Sequence, residues 1–240
     1  MNSHEKFLIE HFSVLLDDWL KMYQQTRTPE MIAKIVHEIK NPISLIKSTL
    51  QLIECQTPEA KNNPHWSLLY EELDYICLLV NDFSSLNNSF NIKKDYVDII
   101  SILISVKEAI YSLAYSKNIN ITMNSQDDFP IILGDKMRLK EAFMNLIKNA
   151  IEAVDSDGTI TITTSYTDSH IKVIIADNGL GIKSEQLNEI FKPFITYKEN
   201  GTGLGLPIVK SIIAQHQGNI TIQSELNKGT SFIISLPINT

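Results

Sequence analysis

Large apolar side chains near the N-terminus recur at Leu8, Phe12, Leu15, Trp19 and Met22, at spacings of four and three. That heptad spacing predicts an amphipathic helix over residues 1–27 that seeks a partner. Thr26, Arg27, Thr28 and Pro29 interrupt it; Thr28 suits an N-cap and Pro29 the first helical position. The pattern then predicts a helix over about 29–54, with Ile32, Ile35, Ile39, Ile46 and Ile53 on one seam and Val36, Ile43 and Leu50 beside it. His37 and Asn41 fall off that seam and are expected to face solvent. After a linker at 57–64, Trp66, Leu69, Leu73, Ile76, Val80 and Phe83 repeat at 3-4-3-4-3. Two such helices carry apolar stripes that one hairpin cannot bury, whereas a four-helix bundle made by two chains would bury them. The expectation is a homodimer built on residues 28–90.

A polar, helix-breaking stretch, Asn87, Asn88, Ser89, Phe90 and Asn91, marks a domain boundary, and the periodicity changes after it. Asp98 is placed to cap a helix running to about Leu113, and 119–123 and 131–133 read as strands. Gly134 and Asp135 lead into a long helix, and Asp157-Gly158 connects it to a strand at 159–165. Asp168 turns the chain into a further strand at 171–176, and 219–223 and 231–236 complete the set. Helices mixed with strands that lie mostly in hairpins predict an α+β sandwich over 92–240.

Composition narrows the function classes. The 240 residues are 43% hydrophobic and 20% charged, ordinary soluble globular material with length for two modest domains. A net charge of −7 argues against nucleic acid or an anionic membrane surface as the main partner. Cys55 and Cys77 have no metal-ligand spacing and fit a reducing cytosol, so a cytoplasmic location is expected. Without an 18-residue apolar run, neither a transmembrane segment nor a signal peptide is expected.

The long helix carries the first sign of chemistry. Asn145 and Asn149 lie one turn apart within EAFMNLIKNAIEAV, so both amide oxygens can face one ligand. Such oxygens suit Mg2+, which takes few protein ligands and prefers waters and phosphates. Downstream, the strand Ile171, Val173, Ile175 puts Asp177 on its inward side, and Asn178-Gly179-Leu180-Gly181 follows. Phe191-Lys192-Pro193-Phe194 precedes Gly201-Thr202-Gly203-Leu204-Gly205, and Gly229-Thr230 comes last. The G-x-G-x-G loop lacks the Lys-Ser/Thr ending of a P-loop and the spacing of a dinucleotide fold. It opens a helix, 204–217, whose N-terminal amides can hold phosphate.

These five blocks in this order resemble the ATP-binding domain of sensor histidine kinases, within the wider family that includes Hsp90, gyrase B and MutL. The resemblance implies that Asn149 and Asn145 ligand Mg2+ and that Asp177 accepts a hydrogen bond from the adenine amino group. By the same resemblance, Gly179 and Gly181 admit the base, while Gly201, Thr202, Gly203, Leu204, Gly205 and Thr230 belong to the ATP site. Phe191, Pro193 and Phe194 resemble a hydrophobic clasp at one end of the ATP lid; as plain sequence they read as core aromatics. Where many such kinases carry a cation three residues after the second asparagine, this chain has Glu152, which leaves Lys148, Lys192 and Lys198 eligible to contact phosphate. Asn145 stands where the ATPase relatives place a glutamate base, and an amide cannot take that proton, so wasteful hydrolysis is expected to be slow.

Upstream, His37-Glu38-Ile39-Lys40-Asn41-Pro42 resembles the histidine-kinase phosphoacceptor motif. Pro42 cannot donate to the Glu38 carbonyl, which loosens the helix beside His37. A neutral imidazole nitrogen is a competent nucleophile, and Glu38 can accept or orient the ring proton. The resemblance implies a dimeric kinase that phosphorylates His37 from Mg·ATP and passes the phosphoryl group to the receiver domain of a response regulator, with Asn41 serving a phosphatase activity. Input arrives through the short N-terminal helix, through a separate sensor protein or from a further domain. Two rival readings are a phosphotransfer scaffold with a degenerate ATP domain, against which the intact Asn149, Asp177 and glycine loops count, and a gyrase- or Hsp90-like ATPase, which Asn145 and the His37 hairpin disfavour.

Overall fold

The computed structural model describes residues 29–63, 65–87, 92–198 and 201–238. The expected helix over 1–27 and the boundary at 88–91 lie outside them. The chain divides into two units, Met1–Phe90 and Asn91–Thr240.

In the first unit, α1 (Pro29–Gln56) and α2 (Trp66–Asn87) form a hairpin around a 3-10 turn at Pro58–Asn62. Its core is Val36, Ile39, Ile43 and Leu50 of α1 against Leu73 and Val80 of α2. Of the two expected apolar lines, Val36–Ile43–Leu50 faces α2 together with Ile39, while Ile46 and Ile53 stay 48% and 38% exposed. The turn end is tied by Trp66 Nε1, which donates to Glu54 Oε1 at 2.7 Å, and Lys47 pairs with Asp74 midway. Leu45, Ile46, Leu52, Ile53, Leu68, Leu69 and Leu78 remain exposed once the hairpin has closed.

The second unit is an α+β sandwich. A five-stranded sheet runs β2 (Asn120–Ser125), β4 (Thr159–Tyr166), β5 (His170–Asp177), β7 (Gly229–Pro237), β6 (Asn219–Glu225). β2 pairs parallel with β4, and the other neighbours are antiparallel. Burial alternates along the central strands, with Ile171, Val173 and Ile175 of β5 beside Phe232, Ile234 and Leu236 of β7. That period of two is the mark of a sheet with one covered face.

Two long helices lie against it, α5 (Lys136–Ala153) and α6 (Gly205–Gln215), and α3 (Ile99–Ala109) packs on α5. Asp98 and Asp135 cap α3 and α5, each accepting two backbone N–H bonds, and such a cap contributes about 1 kcal/mol. Phe143, fully buried on α5, contributes about 1.5–3 kcal/mol by leaving water.

Sequence and structure differ in three places here. The helix expected to reach Leu113 breaks at the buried Ile110, and a separate α4 (Tyr111–Ser116) follows. A short β1 (Asp95–Val97), too brief to show a period, pairs with β3 (Ile132–Gly134). The helix expected to reach Gln217 stops at Gln215 because Gln217 turns left-handed (φ 58°), with Gln217 N–H donating to Ala214 O and Gly218 N–H to Ile213 O, both at 2.9 Å. This 5→2 and 6→1 pair closes a helix C-terminus and releases the chain into β6.

Candidate active site

The His37–Pro42 motif lies on α1. Val36 and Ile39 are buried on either side of His37 and Glu38, which turns those two outward, and Asn41 and Pro42 are exposed as well. Asn41 Nδ2 lies 3.4 Å from His37 Nδ1, so the amide and the ring occupy the same exposed face one turn apart. Glu38 Oε1 is 4.0 Å from Lys34 Nζ. The helix continues through Pro42.

In the second unit, three successive turns of α5 each address a different loop. Asn145 faces the start of α6: a Cβ at Gly205 would stand 3.6 Å from Asn145 Oδ1, ordinary contact, so packing alone does not require glycine there. Its bare backbone keeps the approach to Asn145 open. One turn on, Asn149 Oδ1 accepts a hydrogen bond from Lys198 Nζ at 3.1 Å, and the same ammonium pairs with Glu152. One turn further, Ala153 O accepts from Leu180 N–H at 3.0 Å, and a Cβ at Gly179 would come within 2.2 Å of it. Residues 145, 149 and 153 thus form one i, i+4, i+8 line about 12 Å long, along which the glycine loop, the lid and the Asp177 loop converge.

Asp177 ends β5, half buried and paired in register with Thr230. Its Oδ1 accepts from Gly179 N–H at 2.9 Å and from Thr230 N–H at 3.2 Å. Among the described residues both donors fall on Oδ1, so Oδ2 is the oxygen left for a ligand amine. Burial pushes this carboxyl above the usual carboxylate range, against the pull of its two amide donors and of Lys198. Gly181 (φ 66°) and Gly229 (φ 97°) are left-handed, and a Cβ on either would come within 2.0 Å of a backbone oxygen.

The lid region is closed at its base by Phe194 N–H donating to Gly203 O at 3.0 Å. Gly203 (φ 67°) has its α-carbon against the Phe194 backbone. Phe194 itself sits at φ 64° and is 58% exposed, so the reading of it as a core aromatic fails. A left-handed phenylalanine costs about 1–2 kcal/mol, strain of the kind held at hinges and clamps. Leu204 N–H donates to Thr202 Oγ1 at 3.2 Å, and no side chain caps α6 at its N-cap position. Gly201 packs on Thr196.

Of the three eligible lysines, Lys198 is the one that meets Asn149. Lys192 pairs with Glu189 at 2.7 Å, and Lys148 is exposed on α5. The amide oxygens of Asn145 and Asn149 are hard donors of the kind Mg2+ takes beside waters and phosphates, and Asn149 Oδ1 here accepts from an ammonium. Sequence reasoning passed over Ser224. Its hydroxyl accepts from Ile182 N–H at 2.8 Å, donates to Gly229 O at 2.9 Å and meets Thr230 Oγ1 at 2.9 Å, tying the Asp177 loop to β7. A serine alternating along an edge strand gives no sequence signal of that role.

Comparison with known proteins agrees with this architecture. Residues 134–240 match the family described as histidine kinase-, DNA gyrase B- and HSP90-like ATPase. Sporulation kinase C of Bacillus subtilis (strain 168) is 36% identical over 214 residues, 89% of this chain and 50% of that protein. Sensor histidine kinase ZraS of Escherichia coli (strain K12) is 32% identical over 228 residues, 94% of this chain and 49% of that protein. The chain therefore spans about half the length of these curated relatives. Among solved structures, full-length ShkA in complex with AMPPNP superposes with a TM-score of 0.78 at 28% identity, over 89% of this chain and 46% of that one. With its nucleotide loops gathered along α5 and these relatives on both sides of the comparison, the chain belongs to the sensor histidine kinase family.

Proposed function

We propose that the chain is the kinase portion of a two-component system: it binds Mg·ATP in the second unit, transfers the γ-phosphoryl group to His37, and passes it from there to an aspartate of a response regulator's receiver domain. The observation that carries this reading is the line of Asn145, Asn149 and Ala153, which gathers the glycine loop, Lys198 and the Asp177 loop on one helix face. That relatives of this family include a structure with AMPPNP bound supports the choice of ATP.

In this reading Asp177 Oδ2 accepts from the adenine amino group, and the two amides on Oδ1 hold the carboxylate in place. Asn149, with Asn145 beside it, would hold Mg2+, which when bound would neutralise phosphate charge. The N-terminal amides of α6 and Thr202 take the phosphate oxygens. Lys198 exchanges its contacts with Asn149 and Glu152 for the phosphate chain when the lid closes. At the acceptor, a P–N bond forms on a ring nitrogen of His37 as the bond to the ADP oxygen breaks, and Glu38 is the base for the ring proton.

The stripe left exposed on the hairpin, Ile46 and Ile53 with Leu69, is read as the interface with a second copy, giving a four-helix bundle. Among the described residues no helix is long and apolar enough to cross a membrane, and the reaction is assigned to the cytoplasm, where ATP is supplied. The test is equilibrium binding of a non-hydrolysable ATP analogue with and without Mg2+. Binding that strengthens with Mg2+ is expected; no binding would leave the chain a phosphotransfer scaffold.

A further inference from the structure

His216 is 3% exposed and takes no part in the nucleotide site as described. It is the C-cap residue of α6. Its Nδ1 lies 2.8 Å from Ile212 O, and because a carbonyl can only accept, that nitrogen carries the proton. Its Nε2 lies 2.8 Å from Asp135 N, and because a backbone amide can only donate, that nitrogen is bare. Only the neutral Nδ1–H tautomer satisfies both bonds. The ring is packed tightly as well: a Cβ at Gly134 would meet His216 Cδ2 at 3.0 Å.

Asp135 is the N-cap of α5, so this bond joins the end of α6 to the start of α5. The start of α6 meets α5 near its middle, where Gly205 faces Asn145. From Asp135 to Asn145 is ten residues of α5, and from Gly205 to His216 is eleven residues of α6, or about 15 and 16 Å at the helical rise. The two contacts are therefore the two limits of one antiparallel packed stretch, the whole of α6 against the first ten residues of α5. What fixes one end sets the register at the other.

We propose that His216 is a positioning residue for the nucleotide site: by accepting the Asp135 N–H it holds α6 in register on α5 and keeps the glycine loop beside Asn145. The inference rests on the nucleotide reading above. Protonation of Nε2 removes the acceptor and sets two donors face to face, so the pin is lost in acid. Burial favours the neutral ring and lowers its pKa, while the Ile212 carbonyl and the Asp135 carboxylate oppose this and the Lys94 ammonium reinforces it. Asp135 and Lys94 are the charges that act on the ring.

The test is binding of a non-hydrolysable Mg·ATP analogue to the full chain across acid and neutral pH, for wild type, His216→Leu and His216→Gln. Loss of the acceptor in His216→Leu strands a part-buried N–H and is expected to weaken binding roughly tenfold at neutral pH. His216→Gln, whose side-chain oxygen can accept from Asp135, is expected to recover most of the affinity and to lose part of the wild-type acid limb. Asp177 titrates equally in all three, so the difference between profiles isolates His216. A folded His216→Leu that binds like wild type, or a His216→Gln that keeps the whole acid limb, overturns the inference; should His216→Leu not fold, the His216→Gln profile decides alone. No binding by wild type would refute the nucleotide reading and this inference with it, whereas wild-type binding with unchanged variants refutes the pin alone.

Discussion

Lys198 Nζ donates to Asn149 Oδ1 at 3.1 Å across 49 residues of sequence, and Glu152 holds the same ammonium. Both partners of the ion pair are about half exposed, so the pair stabilises the fold by at most about 1 kcal/mol. The contact places the lid cation on the amide oxygen assigned to Mg2+. Lys198→Met is expected to leave thermal stability nearly unchanged while lowering autophosphorylation. Asn149→Ala should lower Mg2+-dependent ATP affinity by about ten- to a hundredfold, the range for one charge-assisted contact. Melting curves with an autophosphorylation assay check the first and a titration of ATP against Mg2+ the second; an Asn149→Ala protein with unchanged Mg2+ dependence would move the metal elsewhere.

Asp177 gives a prediction with opposite signs for stability and binding. Its folded pKa is raised above the unfolded value, chiefly by burial. Stability from the protonated form is therefore fully present below the unfolded pKa and lost as pH rises through the folded pKa. At neutral pH the ionised carboxylate is a net cost. Asp177→Asn is expected to keep or raise the melting temperature at neutral pH, with its oxygen still accepting from Gly179 and Thr230, yet to lose adenine nucleotide binding because its NH2 opposes the adenine amine. Melting curves and ATP binding on one preparation check this; retained ATP affinity would remove Asp177 from the adenine site.

Much of this architecture is legible in the sequence, and the parts that are not share a cause. Period-two burial in β5 is written in Ile171, Val173 and Ile175, and the inward side of Asp177 follows from counting. On α1, Val36 and Ile46 stand on adjacent apolar lines that a hydrophobicity pattern cannot rank. Which line turns inward is decided by Leu73 and Val80 of α2. β1 is three residues held by its partner β3, with no period of its own. Phe194 reads as apolar and therefore buried, but its left-handed backbone follows from the close approach of Gly203. The bonds of His216 and Ser224 are long-range pairings between side chain and backbone, which residue type alone does not announce.

Asn41 lies within 3.4 Å of His37 on the same exposed face. An amide there can hold a water in line with a regulator's aspartyl phosphate without acting as its base, and positioning is most of what phosphoryl-transfer catalysis requires. Asn41→Ala is expected to keep autophosphorylation and to lose the dephosphorylation of the regulator. The check is loss of label from a phosphorylated receiver domain; release at the wild-type rate would leave Asn41 with only its place before Pro42.

The central claim is that phosphate moves from ATP to His37. Incubating the full chain with γ-labelled Mg·ATP and then testing the protein-bound label for stability in acid and in alkali measures it directly, with His37→Gln alongside. His37 is exposed and off the hairpin core, so His37→Gln should fold and bind ATP as the wild type does. The account predicts acid-labile, alkali-stable label on the wild type and none on His37→Gln. Label on His37→Gln at the wild-type level, or acid-stable label on the wild type, would contradict it.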